Sequence, residues 1–155
     1  MLEVREARHP EDIALIRTLF LEYASALGID LAFQNFEEEL AGLPGAYVPP
    51  LGHLLIAFEE TDPIGCVALR AIDRQTAELK RLYVRPEGRG RGAGRRLVIG
   101  TIELARTAGY RKIRLDSLPS MIEAAALYVS LGFVDIPAYR HNPVAGTRFM
   151  ELVLA

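Results

Sequence analysis

The residues from Gly88 to Arg96 read GRGRGAGRR, alternating residues that have no side chain with residues that carry a permanent positive charge. Glycine lets backbone N–H groups converge on one point without Cβ interference, and a helix N-terminus at such a loop adds partial positive charge. Arg89, Arg91, Arg95 and Arg96 add full charges. That combination describes a local anion site suited to a pyrophosphate. No GxxxxGK[ST] is present, so the loop is not a P-loop. Gly88-x-Gly90-x-x-Ala93 does fit the dinucleotide pattern G-x-G-x-x-A, and Asp116 stands near the distance of a ribose-binding acid. Two features oppose that fold. The strands before the loop are joined by short turns, as in an antiparallel meander, and a single β-α-β unit follows it.

The segment leading into the loop, Ala77 to Val84, reads as a strand with an irregularity. Leu79 and Leu82 are both apolar and three residues apart, which breaks the period of two. Keeping both inward requires one extra residue near Lys80-Arg81, a β-bulge. A bulge splays a strand and frees backbone groups, and such an edge can pair with an extended amide-bearing ligand such as pantetheine.

Around this centre the periodicities give the remaining elements. Leu2 to Arg8 alternates as a half-buried strand. Pro10 opens a helix whose stripe is Ile13, Ile16, Phe20, Tyr23 and Leu27, with Gly28 at its end. A shorter helix is expected from Asn35 to Leu43. Three strands follow, His53–Glu59, Ile64–Ile72 and Ala77–Val84, with turns at Thr61-Asp62-Pro63 and Asp73-Arg74-Gln75. Ala93 to Ala108 is helical, Lys112 to Leu118 a strand, and Ser120 with Glu123 reads as a capping box opening a last helix. That helix ends at Leu131-Gly132, and strands begin at Phe133 and Thr147. The order β-α-α-β-β-β-α-β-α-β-β predicts an α/β fold, a mixed and mostly antiparallel sheet with helices on both faces.

Composition narrows the class. The chain has 155 residues, 50% hydrophobic and 25% charged, and neither a linker nor a repeat, so one domain spanning 1–155 is expected. Net charge is −2, so no global field draws the chain to nucleic acid or a membrane surface. The lone cysteine, Cys66, lies in an apolar strand and reads as a buried thiol, not a nucleophile. His9, His53 and His141 have no ligand spacing, so no metal is expected. A charged N-terminus without a signal segment predicts a cytoplasmic protein.

With these motifs together, the chain resembles the GCN5-related N-acetyltransferase family. Arg89-x-x-Gly92-x-Gly94 matches the family's acetyl-CoA loop, Leu79-x-x-Leu82-Tyr83-Val84 the strand before it, and Tyr128-x-x-Leu131-Gly132-Phe133 a later helix end. The resemblance implies a splayed sheet holding acetyl-CoA between the strand ending at Val84 and the strand from Lys112. It implies direct transfer of an acetyl group to a primary amine in a ternary complex. Cofactor contacts would fall on Leu82, Tyr83 and Val84 and on Arg89, Gly90, Arg91, Gly92, Ala93, Gly94 and Arg95. Glu78 takes the place of a general base, and Tyr128 that of the general acid near the sulfur. Many relatives carry Asn where this chain has Met121, which removes one polar contact. Residues 139–143, YRHNP, would border the acceptor site, with Arg70, Arg140 and His141 available to an acceptor carboxylate. A homodimer would be in keeping with the family. The other reading is a non-catalytic sensor that binds acyl-CoA.

Overall fold

In the computed structural model, residues 1–154 are described, apart from the side chain of Phe33. The strands are β1 (Leu2–Glu6), β2 (His53–Glu59), β3 (Asp62–Ala71), β4 (Thr76–Val84), β5 (Lys112–Ser117), β6 (Val134–Ile136) and β7 (Arg148–Val153). The helices are α1 (Pro10–Leu27), α2 (Phe36–Gly42), α3 (Ala93–Thr107) and α4 (Ile122–Ser130). The element order is the one expected. The strands form one sheet in the order β1-β2-β3-β4-β5-β7-β6, antiparallel at every junction except β4–β5. Among the described residues no helix is long and apolar enough to cross a membrane.

Each face of the sheet carries its own core. On one face Leu97, Val98, Ile102 and Ala105 of α3 pack with Leu69, Leu79, Ile113, Leu115 and Tyr128. On the other, Ile16, Leu19 and Phe20 of α1 and Phe36 of α2 pack with Ile56, Cys66 and Ala68. Both clusters are apolar and almost fully buried, which supplies the main driving force for folding.

Two features of the sheet make a site. The first is the bulge, which falls where expected. Cys66 pairs with Tyr83 and Ala68 with Lys80, so two residues of β4 oppose Val67, and Arg81 takes a left-handed backbone (φ 62°). The second is the splay. β4 pairs with β5 only from Thr76–Lys112 to Glu78–Arg114. Beyond Glu78, β5 remains bonded to β7 while β4 runs on to Val84 with no strand on that side. Alternate N–H and C=O groups of its last six residues therefore face a gap.

Some boundaries differ from expectation. The β2–β3 hairpin turns at Glu60 and Thr61, because Glu59 pairs with Asp62 and Glu60 carries the positive φ (54°). The capping box at Ser120 is absent. Met121 N–H closes a turn onto the Leu118 carbonyl, and the helix starts one residue later with Met121 as its N-cap and no side-chain cap. With the helix starting one residue later, Ser120 falls outside the cap position and lines the wall of a cleft.

Candidate active site

A cleft of about 660 Å³ occupies the gap. Its walls are Leu79–Val84 of β4, the loop Gly88–Gly94, Ser120–Ala124 with Leu127 and Tyr128 of α4, Asp116 of β5, and Tyr23, Ala26, Leu27 and Gln34 from the α1–α2 side.

One end of the cleft is made of backbone. Arg85, Pro86 and Gly88 form a tight turn, with Gly88 packed against Ile64 so closely that an added Cβ would lie 2.8 Å from it. Gly90 and Gly92 both adopt φ +81°, a conformation costly for any residue with a Cβ. α3 then starts at Ala93, and the first N–H bonded within it is that of Arg96, to the Gly92 carbonyl at 3.0 Å. The N–H groups of residues 90–95 have no acceptor among the described residues. Six consecutive free donors at a helix N-terminus, some of them on the cleft wall, form a nest for an anion. Of the four loop arginines, Arg89 lines the cleft, its Nε bonded to the Val84 carbonyl at 3.0 Å. Arg91 turns to Glu59 (3.8 Å), Arg95 to Ser130 Oγ (2.8 Å) and Arg96 to the Leu2 carbonyl. Their side chains brace the loop, so the contribution of positions 91 and 95 to the nest is their backbone.

Tyr128 lines the cleft from α4. The Tyr-x-x-Leu-Gly-Phe run is a Schellman cap. Gly132, at φ 101°, donates to the Val129 carbonyl, and Phe133 N–H reaches back to the Tyr128 carbonyl at 3.0 Å. The apolar contact that accompanies such a cap is the Tyr128–Phe133 ring pair, 5.5 Å between centroids. The motif therefore fixes the Tyr128 ring against the sheet. Its hydroxyl makes no hydrogen bond to a described residue, and burial, with Tyr23 and Asp116 nearby, raises its pKa well above the ordinary tyrosine range. It stays protonated at neutral pH.

The other end of the cleft is made of charged side chains. Glu78 is fully buried and is not on the wall. Its Oε1 accepts from Arg70 Nε at 3.0 Å, and its Oε2 from the Tyr139 hydroxyl at 2.7 Å and from Arg140. Burial alone would raise its pKa, but Lys80, Tyr139, Arg140 and Arg70 together hold it below the usual carboxylate value. Arg81, buried at the bulge, forks onto both oxygens of Glu39 (2.9 and 3.0 Å) and reaches Gln34. Lys80 is 7% exposed and lines the cleft, with no hydrogen bond or ion pair to a described residue. Burial and the neighbouring Arg81 push its pKa down to about 8. Across the cleft, Asp116 accepts one long bond, 3.3 Å, from Asn142. Cys66 is fully buried and its thiol pKa is pushed up by burial, far from thiolate reactivity.

The sequence-derived residues thus separate into two groups. Leu82, Tyr83, Val84, Arg89, Gly90, Gly92, Ala93, Gly94 and Tyr128 share one cleft wall. Glu78 lies behind it, covered by the loop that carries Tyr139 and Arg140. Lys80, Asp116 and Gln34 reach the wall without having been singled out for it, because no local motif tells which side chains distant elements bring to the cleft.

The model of the acetyltransferase (GNAT) family matches residues 14–133, a span that includes the strand, the loop, α3 and the Tyr128 helix. The chain belongs to the GNAT family of acetyltransferases. An uncharacterized N-acetyltransferase of Schizosaccharomyces pombe is 36% identical over 99% of this chain and 96% of its own length. Among solved structures, a GNAT-family acetyltransferase of Staphylococcus aureus superposes with a TM-score of 0.80 at 18% identity over the whole of both chains. The PaiA N-acetyltransferase of Thermoplasma acidophilum, in complex with coenzyme A, gives 0.76 at 20% identity over 99% of each chain. The GNAT chain shares with these neighbours the splayed mixed sheet.

Proposed function

We propose that the chain, acting as one domain over residues 1–155, binds acetyl-CoA in the cleft between β4 and β5 and moves its acetyl group to a primary amine. The observation that carries this reading is the run of six acceptor-free N–H groups at residues 90–95, opening onto a cleft whose long wall is an unpaired strand edge. A pyrophosphate satisfies the first and an amide-bearing arm the second. The solved relative in complex with coenzyme A supports the same choice of ligand. When bound, acetyl-CoA supplies a thioester whose acetyl carbon is open to an amine.

The chain's own groups do the rest. The N–H groups of residues 90–95 and the Arg89 guanidinium hold the phosphates. The backbone of Leu82, Tyr83 and Val84 pairs with the amide arm and fixes its direction. Tyr128, kept protonated by its burial, gives its proton to the sulfur as the thiol leaves. The attacking amine must shed a proton, and of the two carboxylates on the cleft wall, Asp116 and Glu123, Asp116 is the one that acts on Tyr128 and so is placed to accept it. Glu78 enters as a base only when Arg140 leaves its Oε2. With Arg140 in place its part is to position Arg70, Tyr139 and Arg140 beside the acceptor. With Cys66 buried on the other side of β3, transfer is direct, without an acyl-enzyme.

The test is a thiol-release assay with acetyl-CoA and a panel of amines, alongside calorimetric titration of acetyl-CoA. Amine-dependent release of CoA supports the transferase. Tight binding with no release by any amine supports the sensor reading instead.

A further inference from the structure

We propose that the acceptor is a small amine that also carries a carboxylate, and that Lys80 holds the carboxylate. This rests on the acetyltransferase reading and adds the substrate class to it.

Four cations gather where β4 leaves β5: Arg70, Lys80, Arg81 and Arg140. Three of them are ion-paired, although the Arg140 Nε is buried without an acceptor. Arg70 and Arg140 share Glu78, and Arg81 is forked onto Glu39. Lys80 alone of the four makes no hydrogen bond or ion pair to a described residue, and it is 7% exposed and on the cleft wall. A largely desolvated ammonium at a cleft wall, with no protein acceptor, is costly to hold, and an anionic ligand group offsets that cost. Its lowered pKa agrees with that account, because it shows the charge is under-compensated in the free protein. The bulge explains how this arises. Lys80 is the last regularly paired residue before the bulge, opposite Ala68; the extra residue turns Arg81 to Glu39 on α2 and leaves Lys80 on the cleft wall.

The facing strand supplies the complement. Asp116 is on the same wall and accepts a single bond, from Asn142. An unsatisfied cation on one strand and a lightly held carboxylate on the other fit an acceptor bearing both signs. The N–H groups of Lys80 donate to its carboxylate, and its amine lies toward Asp116. A polyamine would set a second positive charge against Lys80, and a plain hydrophobic amine would leave Lys80 unpaired.

The test uses matched pairs, each a free amino acid and its carboxamide, assayed by thiol release with acetyl-CoA. The N-acetylated forms are titrated calorimetrically into the CoA-loaded protein. The carboxylate partner is expected to be favoured at least tenfold in kcat/KM, mainly through KM. Lys80→Met should erase that preference and weaken binding of the N-acetylated carboxylate at least tenfold, while Lys80→Arg keeps part of both. Lys80→Gln replaces Lys80→Met if that variant does not fold. Equal use of the two partners, preference for the carboxamide, or a preference that survives Lys80→Met overturns the proposal. If acetyl-CoA binds but no amine releases thiol, the transferase reading falls and calorimetry alone decides. Carboxylate binding that Lys80→Met abolishes sustains the role of Lys80, and absent binding overturns it.

Discussion

The two ends of the cleft are built from different materials. The loop end is backbone: six free N–H groups and two glycines at φ +81°, with most of the arginine side chains turned away. The end we assign to the acceptor is side chain: Lys80 and Asp116 on the wall, with the cluster of Glu78, Arg70, Arg140 and Tyr139 behind them, brought from β3, β4, β5 and the β6–β7 loop. The first should withstand loss of side chains and fail on a change of backbone freedom. The second should do the reverse.

The largest expected effect is at the acceptor end. Glu78→Ala removes the anion shared by Arg70 and Arg140 and leaves buried positive charge unpaired, a loss of about 3–5 kcal/mol of stability. Denaturant unfolding measures it, and a loss below about 1 kcal/mol would mean that solvent already screens the cluster. At the loop end, Gly92→Asp forces a Cβ into a left-handed backbone, at roughly 1–2 kcal/mol, and places a carboxylate in the anion nest. Acetyl-CoA affinity should fall by about 100-fold or more in a calorimetric titration.

Tyr128→Phe probes the junction of the two ends. Loss of a general acid should lower kcat by about 100-fold with little change in acetyl-CoA affinity, and equal turnover in the two proteins would remove the role. Lys80→Met should raise stability by roughly 1–3 kcal/mol at pH 7, since the ammonium is largely desolvated and no protein acceptor completes it. In the folded chain Lys80 titrates at about 8, below its ordinary 10.5. The penalty for holding it is therefore complete below pH 8 and fades between pH 8 and about 10.5, so unfolding curves of the two proteins should converge over that window. The smallest effect is expected from Arg91→Ala. Its side chain faces Glu59 at 3.8 Å and not the cleft, so acetyl-CoA affinity should change by less than about threefold. A tenfold loss would return that guanidinium to the phosphates.

The same contrast decides what could be read from residue order. The loop end lies within one stretch of chain, so its glycines and the Leu79-x-x-Leu82 spacing disclose both the nest and the bulge. The Tyr-x-x-Leu-Gly-Phe run is equally local, because a Schellman cap is closed by its own five or six residues. The acceptor end depends on which distant charges meet. Arg70 and Arg140, free to bind an acceptor on the linear sequence, are held by Glu78, and Lys80, a natural neighbour for Glu78 along the strand, is the group left over. Ser120 shows a local motif overridden, since the turn from Leu118 to Met121 carries the helix start one residue past it.

Amide hydrogen exchange, read residue by residue with and without acetyl-CoA, tests the central claim most directly. Binding should slow exchange at residues 90–95 and at the free edge of β4 near Leu82 and Val84, with β1 and the N-terminal half of α1 unaffected. Saturating acetyl-CoA that leaves the 90–95 amides exchanging at their free rate would contradict the account.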